Sequence, residues 1–251
     1  MKTKMFRRGL IGVVALVLAP LAWAAPIPGN GLVGTDHDFT NEGGNAGPVG
    51  MCTFCHTPHH AQSTTLLWNH TLSANEFTWD VPSTTAGTDF PSFQGDTYKG
   101  ATAKCLSCHD GSVAIGDVAW FDEGPAQLNP KKHSEPDDAA RIATPDGSMA
   151  GNHPVAMPFP YQGQGSTYNN VTTGSSIILA DWVADPEALG VRLFHDDGTG
   201  NITAGAVAGK SGIECSSCHD PHNKQTVDDL FLRGNLTGND SDYLCLKCHD
   251  K

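Results

Sequence analysis

Apolar residues crowd the start of the chain and thin out after it. Lys2, Lys4, Arg7 and Arg8 lead into an apolar stretch from Leu10 to Ala19, which Pro20 ends ahead of the small-x-small run Ala22-Trp23-Ala24. That order is the pattern of a cleaved secretory signal peptide over residues 1–24, with a mature chain over 25–251. The apolar run falls short of the ~20 residues a span requires, and no later run approaches that length, so the expected mature form has no membrane span. No Cys stands near the cleavage site, which excludes a lipid anchor through an N-terminal Cys. Past residue 25 neither helical nor strand periodicity is sustained. Val191 to Phe194 and Ile202 to Val207 flank Asp196-Asp197-Gly198-Thr199-Gly200 and predict a β-hairpin. The Asp-Gly stretch lacks the closing Glu of a calcium loop and reads as turn chemistry. Ser241 predicts an N-cap for a helix over 242–250. The expected fold is mostly coil with short helices and a few short β-hairpins, in a single domain.

Composition explains why periodicity is weak. In 251 residues there are 28 Gly and 16 Pro, aromatic residues are 8% and charged residues 17%, so regular elements are scarce and something besides apolar side chains must fill the interior. The formal net charge of -12 excludes nucleic acid as a partner. Acidic residues occur in small clusters such as Asp36 and Asp38, or Asp137 and Asp138, which read as solvated surface.

All eight cysteines fall in four pairs of one spacing, each followed at once by histidine: Cys52, Cys55 and His56; Cys105, Cys108 and His109; Cys215, Cys218 and His219; Cys245, Cys248 and His249. C-x-x-C-H is the attachment signature of c-type haem. Two thiols about one helical turn apart add to the two haem vinyl groups, and the next residue brings its imidazole under the iron. Zinc knuckles, a thioredoxin-like redox pair and disulfides each account for the cysteines but not for a histidine after every pair. The sequence therefore predicts four covalently bound haem c groups and no catalytic residue. Export agrees with this, since haem is joined to such chains outside the cytoplasmic membrane.

Each iron would keep one further axial position, and its occupant separates a closed electron carrier from a substrate site. Eight other histidines are available: His37, His59, His60, His70, His133, His153, His195 and His222. His59 and His222 repeat the pattern C-x-x-C-H-x-P-H at motifs one and three. A histidine three residues past a motif histidine cannot reach the far side of the same haem, but it can reach a neighbouring one. His153 and His37 lie in loop-like sequence able to deliver a ligand. His70 and His133 are second choices, His60 and His195 read as surface residues, and Met149 and Met157 are a minor alternative. The long stretch between motifs two and three reads as wrapping or contact surface without a catalytic domain.

The signal peptide, His37 in an early loop, C-T-F-C-H-T-P-H from Cys52 to His59, Leu67-Trp68-Asn69, Asn152-His153-Pro154-Val155 and C-S-S-C-H-D-P-H from Cys215 to His222 resemble the tetrahaem extracellular cytochromes of the OmcE type. Those proteins polymerise into cytochrome nanowires. The resemblance implies a mostly coil fold and bis-His ligation at every haem, with distal ligands His37, His59, His153 and His222. It further implies that one haem takes its distal histidine from the adjacent subunit, so that the partners are further copies of this chain and redox proteins or extracellular acceptors. The pairing expected from chain order is His37 with motif one and His59 with motif four of the neighbouring subunit. A soluble periplasmic carrier is the alternative, and an oxyanion reductase with an open haem is disfavoured by the supply of histidines and the acidic surface.

Overall fold

A computed structural model describes residues 27–40, 49–63, 65–79, 90–121, 124–128, 140–173, 179–228, 230–238 and 241–250. The expected signal peptide, His133, Asp137 and Asp138 lie outside them. The fold is mostly coil, with two short α-helices and small antiparallel sheets among the described residues, as Gly and Pro content required. No described helix is long and apolar enough to cross a membrane.

Ten strands form among the described residues. Strands β1 (Glu76–Phe77) and β2 (Phe93–Gln94) form a two-residue ladder, and β3 (Asp117–Phe121) turns back on β4 (Gly124–Gln127) with a register shift between Val118 and Phe121. Then come β5 (Met157–Pro158), β6 (Thr167–Tyr168), β7 (Val171–Thr172), β8 (Phe194–Asp196), β9 (Ile202–Ala204) and β10 (Ser211–Ile213). The largest sheet has the order β5-β10-β8-β9. Its β8–β9 hairpin pairs Phe194 with Ala204 and Asp196 with Ile202, as the flanking apolar runs predicted. Asp197 closes the turn, accepting the backbone N–H of Thr199 at 2.7 Å and the side-chain amide of Asn201 at 3.0 Å. The Thr199 hydroxyl first, then Asn201, holds its carboxyl below the usual carboxylate range. A second hairpin, β6–β7, turns on Asn169 (φ 51°) and Asn170 (φ 59°). Two positive φ values are what a two-residue hairpin loop demands, and Asn tolerates them.

Strand β10 is central and buried throughout. At Gly212 a Cβ would come within 2.3 Å of Tyr168 ring atoms, so only glycine lets that ring lie against the strand. Past β10 the chain enters the helix α2 (Cys215–Cys218), which carries motif three; α1 (Ala101–His109) carries motif two. The helix expected over 242–250 is only a 3-10 turn over Leu244–Lys247, and no side chain caps it. Ser241 is therefore not its cap. The segment is held instead from outside, where Asn235 donates to the Asp242 carbonyl at 2.7 Å and accepts from Leu244 N–H at 2.9 Å.

Among the described residues the buried apolar side chains fall in three clusters, and each abuts a motif cysteine. Phe77, Leu106, Met149, Tyr168 and Phe194 centre the first, with Cys215 against it. Phe39, Phe54 and Val118 centre the second beside Cys55, and Phe159, Leu193 and Ile213 the third beside Cys248. A chain so divided gains little from any single cluster.

Candidate functional site

The spacing of each motif becomes one turn of backbone. His56 N–H donates to the Cys52 carbonyl at 2.8 Å, His219 to Cys215 at 3.0 Å and His249 to Cys245 at 2.9 Å, while motif two lies wholly within α1. Each pair of thiols thus sits on one side of a helical turn, with its histidine at the turn's end. None of the eight cysteines is in a disulfide. Among the described residues no three His, Cys, Asp or Glu converge as a metal cluster would require.

Three motif histidines are oriented by backbone carbonyls from distant loops. The Nδ1–H of His56 donates to Leu66 O at 2.6 Å, that of His109 to Ala140 O at 2.6 Å and that of His219 to Leu230 O at 2.9 Å. A carbonyl only accepts, so this bond puts the proton on Nδ1 and leaves Nε2 with a free lone pair, the arrangement of a ligating imidazole. Two of the three loops carry bulky residues at positive φ, Leu66 (64°) and Leu67 (51°) at motif one and Phe231 (61°) at motif three. Such backbone is strained and persists only where its surroundings require it. No sequence signal pointed to these carbonyls, because any residue type supplies one.

Second histidines stand opposite three motif histidines. The ring centres of His56 and His222 are 6.2 Å apart, those of His109 and His37 6.1 Å, and those of His249 and His153 6.4 Å. Two imidazoles bound end-on to one metal ion, with each nitrogen about 2 Å from it, stand about 6 Å apart between ring centres. The pairs are set at that span. His37 donates Nδ1–H to Pro221 O at 3.2 Å and His153 to Pro154 O at 2.9 Å, so these partners also carry their ring proton on Nδ1.

Pairing differs from the one expected from chain order. His37 faces motif two and not motif one, because its Nδ1 bond to Pro221 and its stacking on Phe231 at 4.8 Å draw it to the segment after motif three. His153 faces motif four, the place expected for a neighbour's His59. His222, three residues past the histidine of motif three, faces motif one. His59 is exposed, and its backbone bonds only to the Thr57 hydroxyl. His219, also exposed, is the motif histidine that no second histidine ring faces among the described residues. His70 is 1% exposed with Nδ1 3.0 Å from Thr71 O and Nε2 2.9 Å from Ile115 O, so each nitrogen faces a backbone carbonyl and the ring is packed in the core. His60 stacks on Trp120 at 4.1 Å, and His195 Nδ1 is 2.8 Å from Gly205 O in β8. Met149 is buried in the first cluster.

Burial, followed by the charge of Cys108, pushes the Cys55 thiol up to about 12. A hydrogen bond with Cys105, reinforced by burial, raises the Cys215 thiol well above its ordinary value. Burial and then neighbouring thiols, Cys245 among them, take Cys218 to about 11, and burial with Cys218 takes Cys248 to about 12. Hydrogen bonds join the motifs in turn: Trp68 beside motif one to Ser107 of motif two at 3.2 Å, Cys215 N–H of motif three to the Thr102 hydroxyl of α1 at 3.1 Å, and Arg233, which donates its N–H to Cys218 O at 2.8 Å and accepts from Lys247 Nζ of motif four at 2.9 Å. Burial also carries Cys108 to about 12.

Leu67-Trp68-Asn69 ties motif one to its surroundings. Asn69 donates to Thr53 O at 2.7 Å and Trp120 O at 3.0 Å and accepts from Trp120 N–H at 2.9 Å. Trp68 sets its ring edge-on to His56 and donates to the Ser107 hydroxyl of motif two at 3.2 Å. At motif three Arg233, 3% exposed, donates to Ser216 O at 3.4 Å and Gln225 Oε1 at 2.5 Å and lies 3.8 Å from Asp220.

Residues 206–251 match the family described as the doubled CXXCH motif, which spans motifs three and four. No curated protein matches the chain. The family match supports a multihaem c-type cytochrome that binds haem c covalently through its CXXCH motifs and transfers electrons. The facing imidazoles, the Nδ1–H bonds and the paired thiols fit that group.

Proposed function

We propose that the protein is a secreted, extracellular electron conduit holding four haem c groups in series, whose subunits join head to tail into a filament. The observation that carries the reading is the set of three histidine pairs at 6.1–6.4 Å, arranged along motifs that hydrogen bonds join in turn. Haem c supplies one-electron exchange at iron, and every other requirement falls to the chain. Cys52 and Cys55, Cys105 and Cys108, Cys215 and Cys218, and Cys245 and Cys248 anchor the groups. His56 with His222, His109 with His37, and His249 with His153 would supply two imidazoles to each of three of them, which suits a carrier. Leu66, Ala140 and Leu230 carbonyls fix the tautomer at motifs one, two and three.

Motif three is the site that remains. Its His219 is exposed and faces no second described histidine, while His59 is exposed at motif one with its ring unclaimed by any described ring. His59 of the adjacent subunit completes the pair at His219, in place of the motif-four contact expected from chain order. Assembly and ligation are then one event, and the partner is a second copy of the chain.

The test is His59→Ala in secreted holoprotein. Four attached haems by pyridine haemochrome assay, one high-spin iron and monodisperse particles by electron microscopy are expected. Filaments with every iron low-spin overturn the inter-subunit role. Wild-type protein that is monodisperse and confined to the periplasm makes the chain a soluble carrier instead.

A further inference from the structure

One buried charge has no part in anchoring or ligation. Glu214 is 0% exposed and directly precedes Cys215. Its Oε1 accepts the Tyr98 hydroxyl and, at 2.7 Å, the Tyr168 hydroxyl; its Oε2 accepts the backbone N–H of Thr102 at 2.7 Å. Thr102 lies in the first turn of α1, where the N-cap Gly100 offers no side chain. The carboxylate therefore caps the helix of motif two from the start of motif three, in the place where a helix favours negative charge. A Cβ at Gly100 would fall 2.5 Å from Glu214 Oε1, so glycine is needed for this approach.

Tyr98, Tyr168 and Thr102, with the Ser217 backbone N–H that closes a capping box on the same side chain, all donate, so the group is met as an acceptor-only carboxylate. Burial, then the Glu214 charge, pushes the phenols of Tyr98 and Tyr168 far up and keeps them donors. The nearby cation is Lys104, 3% exposed, whose Nζ donates to the Lys99 and Gly100 carbonyls and not to the carboxylate. Glu214 and Lys104 nevertheless feel each other's charge. The carboxylate sits at the joint between two motifs: Cys215 N–H donates to the Thr102 hydroxyl at 3.1 Å, and Cys215 is hydrogen-bonded to Cys105. Its charge is felt at the Cys215 sulfur. Charges in a water-excluded interior act over longer range than on the surface.

We propose that Glu214 sets the reduction potentials at motifs two and three, its buried negative charge holding both below the values they would have beside a neutral amide. Reduction adds one electron to a site and therefore one negative charge near another, with no bond made or broken. Lys104 opposes it with the reverse sign. The assignment rests on haem c being bound at those motifs, as read above.

The experiment compares wild-type, Glu214→Gln and Lys104→Met holoproteins. Haem content is counted first by pyridine haemochrome and intact mass, and midpoint potentials are then followed spectroelectrochemically with dithionite and ferricyanide as titrants. Glu214→Gln is expected to raise two midpoints and leave the others in place, and Lys104→Met to lower two. Opposite shifts are the signature of charge, since loosened packing would not reverse sign between the variants. Unmoved midpoints, or shifts of one sign in both variants, overturn the proposal. If Glu214→Gln yields no folded holoprotein, Lys104→Met decides alone: a fall supports the proposal, and no change or a rise refutes it. Wild-type protein lacking haem at motifs two and three refutes the underlying reading, whereas a full complement with unmoved potentials refutes only the role of Glu214.

Discussion

Replacing Tyr168 with phenylalanine removes one oxygen from the interior and leaves the ring in place, which makes it a clean measure of the buried cluster. Tyr168 is 0% exposed, and its hydroxyl donates to Glu214 Oε1 at 2.7 Å. A hydrogen bond to a charged group contributes about 1.5–3 kcal/mol net. Oε1 keeps the Tyr98 hydroxyl and Oε2 the Thr102 N–H, so no oxygen is left bare and the lower part of that range applies. The expected loss is about 1.5–2 kcal/mol, a factor of about 10–30 in the folding equilibrium. Tyr98→Phe should cost a similar amount. The double variant strips Oε1 of both hydroxyl donors, and its loss should exceed the sum of the two single losses, because the variants share one acceptor. Guanidinium chloride unfolding of the holoproteins at neutral pH, followed by far-UV circular dichroism with the slope checked against wild type, gives all three values. Tyr168→Phe as stable as wild type within about 0.3 kcal/mol, or strict additivity in the double variant, refutes the reasoning.

Two other outcomes follow from packing and charge. Gly212→Ala places a Cβ 2.3 Å from two Tyr168 ring atoms and 2.6 Å from Met157 O, and it should cost about 3 kcal/mol, the upper end for overpacking, read as a lowered denaturation midpoint. At Asp220 burial alone would raise the carboxyl, but the backbone N–H groups of Gln225, His222 and Lys224, with the Arg233 guanidinium, outweigh it and hold it below its ordinary 3.8. A depressed folded-state value contributes stability that is present above about pH 4 and lost as pH falls through the folded value. Asp220→Asn should therefore be less stable at neutral pH and show a flatter loss on acidification in thermal melts from pH 7 to pH 2.

What the sequence determined by itself is chemistry confined to a few adjacent residues. The four C-x-x-C-H motifs could be read because a turn of five residues needs no distant partner, and the backbone bonds from His56 to Cys52 and from His249 to Cys245 form within that turn. The β8–β9 hairpin was legible for the same reason, with Asp197 bonding residues two and four positions on. Scarce regular structure followed from Gly and Pro content. Local reasoning failed where distant groups compete. Ser241 looked like a cap, but Asn235 takes the Leu244 N–H from outside and leaves only a 3-10 turn. His70 and His37 are indistinguishable by residue type, and only the fold sets both nitrogens of the first against backbone carbonyls and turns the second towards His109 through Pro221, 184 positions away. The Glu214 cluster joins residues 98, 102, 168 and 214, each unremarkable in its own segment. The four motifs are a property of residue type and short spacing, but which histidines face each other and where charge is buried depend on which loops meet, and that is settled only when the chain closes on itself.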